Sequence, residues 1–199
     1  MNQSKTKNMV LHALFIAIEM LLIFVPFLGY IPIGPLRATT LHIPVIIAGI
    51  VLGKKSGAMI GLVFGLSSLI YNTINPTITS FVFSPFISGS IMSAIIAIVP
   101  RILIGFVAGF IFEKLKTTKC NEILSMSVSS FIGAITNTVL VLGGIYLLFG
   151  DSYATAIGKN FQELLPYLIT IVTTQGILEA VVGTIVAVLV SKVLIKVAK

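Results

Sequence analysis

Two full charges, Arg101 and Glu179, stand inside long apolar runs of a chain with only 10% charged residues. A guanidinium presents two parallel N–H donors that match the two oxygens of a carboxylate, so Arg101 is suited to hold one. That carboxylate could belong to a ligand in a water-filled cavity. It could equally belong to Glu179, and the pair would then be structural. Asn137 and Gln175 also lie in apolar runs, where they could serve a ligand or bond one helix to another. A further polar set, Thr39, Thr40, His42, Asn72, Asn75, Thr77 and Thr79, falls between the runs. His42 has no second His or Cys near it at ligand spacing, so no metal site is expected, nor any other cofactor.

The motifs of self-sufficient catalysis are missing. Gly53-Lys54-Lys55-Ser56 lacks the preceding glycine spacing of a phosphate-cradling loop. Neither a His-Glu-x-x-His pair nor a Gly-x-Ser-x-Gly elbow occurs, and Asp151 is the single Asp. The chain is not expected to be an enzyme or to hydrolyse ATP alone. A small intramembrane enzyme using Glu19, Glu179 and Arg101 is the alternative from another class.

The elements that must position these groups are set by composition. Hydrophobic residues make up 57% of the chain and the mean hydropathy is +1.12. A soluble domain needs about a quarter of its residues charged, so this one belongs in lipid. The lone Cys120 excludes a disulfide framework. Residues 1–8 lead into a full apolar span with no small-residue cleavage site, which predicts no cleavable leader. A helical crossing takes about 20 mostly apolar residues. The apolar stretches run roughly over 9–28, 41–53, 57–71, 90–112, 123–149 and 166–191.

Lysine placement decides between five crossings and six. With six and the N-terminus inside, one face collects Lys5, Lys7, Lys54, Lys55, Lys114, Lys116, Lys119, Lys192, Lys196 and Lys199. The opposite loops hold only Arg37 and Lys159. That bias puts both termini in the cytoplasm. It also explains the net charge of +7 without nucleic acid. The outer loops, 29–40, 72–89 and 150–165, are long, and Pro26, Pro32, Pro35, Pro44, Pro76 and Pro85 lie in or beside the first two. Long loops with fixed kinks more often carry function than merely connect. The expected fold is one domain over 1–199, an all-α integral membrane protein. Its six transmembrane helices, N-in and C-in, carry long outer loops over a ligand cavity.

Small residues recur four apart in Gly57-Gly61-Gly65, Gly105-Gly109, Ser129-Gly133 and Ala13-Ala17, a spacing that lets helix backbones approach closely in lipid. Arg101, Asn137, Gln175 and Glu179 continue such stripes on their own helices, so they face protein. Arg101 should lie about 16 Å, and Glu179 about 20 Å, from the outer helix ends. Glu19 is two and six residues from Ala17 and Ala13. If Glu19 points inward, the two alanines point out.

Across nearly its whole length the chain resembles the substrate-binding S components of energy-coupling factor (ECF) vitamin transporters. The resemblance rests on size, on six helices, on Ala13-x-x-x-Ala17, and on Thr39-Thr40-Leu41-His42-Ile43-Pro44 leading into Gly53-Lys54-Lys55-Ser56-Gly57. Pro100-Arg101-Ile102-Leu103 adds to it. Residues 75–86, Asn-Pro-Thr-Ile-Thr-Ser-Phe-Val-Phe-Ser-Pro-Phe, are most similar to the pantothenate subgroup, with pyridoxine and hydroxymethylpyrimidine types as alternatives. The resemblance implies a multi-pass plasma-membrane protein that captures a vitamin under a lid formed by the first outer loop. It implies a partner transmembrane T component, docked on the Ala13 and Ala17 face, and two cytoplasmic ATPases. It places Arg101, Asn137, Gln175, Glu179, His42, and Asn72 or Asn75 around the ligand.

Overall fold

The computed structural model describes residues 3–25, 29–33, 36–118 and 120–198. Its elements run α1 (Gln3–Phe24), β1 (Tyr30–Ile33), β2 (Leu36–Thr39), α2 (His42–Leu52) and α3 (Lys54–Ile74), then a 3-10 turn (Ser80–Val82) and α4 (Pro85–Ser88). They continue through α5 (Ile91–Thr117), α6 (Glu122–Ala156), α7 (Phe161–Ile171), a π turn (Val172–Gly176) and α8 (Ile177–Ala198). Pro26, Pro35, Lys119 and Lys199, all used in reading the sequence, lie outside the described residues.

Among the described residues, five helices are long and apolar enough to cross a membrane: α1, α3, α5, α6 and the continuous rod from α7 to α8. The stretch 41–53 behaves differently. Its helix, α2, has 11 residues, about 16 Å, roughly half the hydrocarbon thickness. Most of α2 is buried, from His42 and Pro44 through Ile50, against α3, α5 and α8. A tight turn at Gly53 (φ 91°) returns the chain into α3.

The connections hold more structure than their length suggested. β1 and β2 pair antiparallel as a hairpin with Tyr30 opposite Thr39, and the Thr40 N–H donates to Gly29 O at 3.0 Å. The segment after α3 is stitched by hydroxyls, with Ser93 Oγ donating to Phe81 O at 2.7 Å and Thr73 Oγ1 bonded to Ser84 Oγ at 2.7 Å. The expected loop over 150–165 is mostly helix. α6 continues to Ala156 past a kink at Phe149, and α7 begins at Phe161 with an Asn160–Glu163 capping box.

Glycines let the central helices touch backbone to backbone. A Cβ on Gly105 would collide with the backbone of Gly57, and one on Gly61 with the carbonyl of Arg101. One on Gly65 would come within 2.8 Å of Ile98 Cα. The Gly57-Gly61-Gly65 stripe is therefore the seam between α3 and α5, which places Arg101 at that seam. On α1, Phe15, Glu19 and Ile23 are buried at four-residue spacing, while Ala13 and Ala17 are exposed on the far side.

Candidate functional site

A cavity of about 750 Å³ opens where the hairpin, the 3-10 turn and the α6–α7 connection meet. Its polar wall is built from Arg101 on α5, Asn137 on α6, Gln175 and Glu179 on the last rod, Asn72 on α3 and Thr39 at the end of β2. The other wall is apolar and aromatic, with Val141, Leu142 and Ile145 beside Tyr153 and Tyr167.

Arg101 is 7% exposed, and its guanidinium carbon lies 5.3 Å from the ring centre of Phe64 and 5.2 Å from that of Phe83. One Nη1 donates to the carbonyl of Ile96 at 2.9 Å. Two rings and a carbonyl therefore hold the planar group in one orientation at the cavity surface, where cation–π attraction offsets part of its desolvation. Glu179 Oε1 accepts from Gln175 Nε2 at 2.8 Å and from the Thr39 N–H at 3.2 Å. The two charges thus have different partners, unlike the structural pairing that the sequence left open.

The depth of Glu179 follows from the helix boundaries. Because the rod begins at Phe161, Glu179 lies 18 residues down it, about 27 Å rather than about 20 Å. Thr39, at the end of β2, reaches it through its backbone N–H. Irregular backbone is tolerated at that depth when it is enclosed by protein or lines a cavity.

Asn137 Oδ1 is buried and has no hydrogen-bond partner among the described residues. An acceptor left so at a cavity wall suits a ligand donor, because an unmade bond costs about 1–3 kcal/mol. Asn72 is differently employed. Its Oδ1 accepts from Ser80 Oγ at 2.9 Å and its Nδ2 donates to Ser68 O at 2.8 Å. It lines the cavity, yet its amide is spent on fixing the 3-10 turn. Asn75 is exposed at the end of α3, and His42 is buried on α2 against Gly183; neither lines the cavity.

Five of the seven expected residues are thus brought together: Arg101, Asn137, Gln175, Glu179 and Asn72. The sequence reading missed Phe64, Phe83, Tyr71, Tyr153 and Tyr167. Tyr71 and Tyr167 carried a signal, since a phenol within an apolar run needs a polar place for its hydroxyl. The phenylalanines carried none, being indistinguishable from lipid-facing ones.

Residues 7–191 match the family described as ECF transporter, substrate-specific component. The chain is 33% identical over its full length, and over 97% of the relative, to the pantothenate transporter PanT of Leuconostoc mesenteroides subsp. mesenteroides. It is 36% identical to the pantothenic acid transporter PanT of Lactococcus lactis subsp. cremoris, over 93% of this chain and 92% of that one.

Proposed function

This chain belongs to the ECF transporter substrate-specific components, and on that premise we propose that it captures pantothenate at the cell surface. It is an integral membrane protein and a transport component, not an enzyme. In this reading the short α2 counts as a sixth pass, both termini are cytoplasmic, and the cavity faces outward. Lysine sidedness and the clustering of the hairpin, the 3-10 turn and the α6–α7 connection at one end support that orientation.

The observation that carries the ligand assignment is the ring-clamped guanidinium of Arg101 in a cavity whose lining is mostly apolar with a smaller polar share. Pantothenate carries one carboxylate, one amide, two hydroxyls and a geminal dimethyl group. Arg101 takes the carboxylate. Asn137 and Glu179 accept from hydroxyl or amide donors, and Gln175 completes the polar wall. The dimethyl group lies along Val141, Leu142 and Ile145. The names of both relatives support the same substrate.

Capture alone moves nothing across the membrane. The proposed partners are a transmembrane T component, meeting α1 along Ala13 and Ala17, and two ATPases that drive release inward. The test of the substrate is binding of radiolabelled pantothenate and pyridoxine to purified protein, alongside Arg101→Gln. Saturable pantothenate binding that weakens in the variant supports the reading. Pyridoxine binding with no response to pantothenate overturns it.

A further inference from the structure

Lysine is scarce at the cavity end of the molecule, where Arg37 and Lys159 are the two basic residues outside the spans. The backbone of Lys159 is firmly held. Gly158 (φ 70°) ends α6 in the left-handed conformation, its N–H donating to Thr155 O at 3.0 Å, and the Lys159 N–H donates to Ala154 O at 2.9 Å. That pair of bonds is a Schellman cap, and it rigidifies the turn. Asn160 then caps α7 at once. Lys159 therefore has a rigid backbone on both sides. Its Nζ lies 5.3 Å from the ring centre of Tyr167, which lines the cavity together with Ala156 and Ile157 from the same turn. The ammonium is thus exposed at the rim, beside the ring that forms the cavity wall.

Two acids share this end. The Glu163 carboxylate is tied to the Asn160 N–H at 3.2 Å at the positive start of α7, which offsets its charge. Asp151 lines a separate shallow depression with Tyr146 and Phe161. Neither lines the cavity that Tyr167 lines.

Resting on the reading of an anionic ligand, we infer that Lys159 is the rim charge that steers the ligand's carboxylate into the cavity and hands it to Arg101. A rim charge acts on encounter, whereas a buried partner acts on release. The two roles separate by kinetics and by ligand charge. The probes are pantothenate and pantothenol, its uncharged alcohol analogue, with association and dissociation rates measured in nanodiscs at low and high salt.

Lys159→Gln should slow pantothenate association about 3-fold at low salt and Lys159→Glu about 10-fold, the differences shrinking at high salt. Lys159→Arg should restore the wild-type rate. Dissociation rates, and pantothenol association, should not change. Unchanged pantothenate association in Lys159→Glu overturns the inference, as does a raised dissociation rate or equal slowing of pantothenol. In those cases wild-type pantothenate binding stands and the substrate reading survives. A wild-type protein that binds neither probe overturns both.

Discussion

The backbone N–H of Thr39 donates to Glu179 Oε1 across 3.2 Å, joining the end of the β hairpin to a helix 140 residues further along the chain. The same oxygen accepts from Gln175 Nε2, so one carboxylate both closes the hairpin onto the bundle and orients a neighbouring amide.

Replacing Glu179 with Leu removes both bonds and leaves the Thr39 N–H and the Gln175 amide without their acceptor. Affinity should fall by about 10-fold or more, mainly through faster release, since each buried group left unpaired costs about 1–3 kcal/mol. Glu179→Gln keeps a carbonyl acceptor and should lose less. Dissociation rates of labelled ligand from the two variants make the comparison, and equal losses would deny the hydrogen-bond role.

Arg101→Lys should behave as a severe change although the charge is kept. Lysine offers no planar fork for a carboxylate and no flat face to lie between Phe64 and Phe83. A loss of about 2–5 kcal/mol is expected, the range for truncating one partner of a desolvated charge pair. Isothermal titration would measure it, and near-wild-type affinity would make Arg101 a point charge only.

Enlarging Ala13 and Ala17 together to Phe should leave ligand binding intact and abolish transport. Both alanines are exposed on the face of α1 opposite buried Glu19, so bulk there meets nothing within the chain. Co-purification with the T component and ATPases should fail in the double variant. Loss of ligand binding in the isolated protein would mean that this face packs internally instead.

Gly105→Ala should destabilise the fold, because the new Cβ would collide with the backbone of Gly57. Overpacking of this kind costs about 1–3 kcal/mol, often more when the obstacle is backbone. Gly143→Ala is the matched control, since a Cβ there meets nothing within 4 Å. Thermal unfolding in detergent should separate the two by several degrees.

The sequence disclosed the lipid environment, the glycine seams and most of the polar wall, because each leaves a local mark. Charges inside apolar runs are costly and therefore conspicuous, and small residues four apart register as stripes. The shortness of α2 was marked too, since its apolar run stops at Gly53 before Lys54 and Lys55. What only packing shows is that eleven residues suffice when the helix is enclosed. The loop expected over 150–165 fared differently. Polar residues such as Asp151 and Ser152 suggest a connection, yet α6 carries them beyond its kink as ordinary exposed helix. His42 and Asn75, which the resemblance put around the ligand, lie outside the cavity lining, one buried on α2 and the other at the end of α3, because neither type nor spacing fixes where a side chain packs.

The depth of the cavity has an electrical consequence. It reaches Arg101, about 15 Å down α5, where a hydrocarbon layer of about 30 Å would be half crossed. With the cavity outward and filled with conducting water, the membrane voltage falls mostly across the protein beneath the guanidinium. An anion can then settle on Arg101 with little opposition from an inside-negative field. Leaving inward, it must climb almost the whole drop, about 2.3 kcal/mol per 100 mV for one charge. Under the proposed function, capture is thus nearly blind to voltage, and the field's resistance falls on the proposed ATP-driven release.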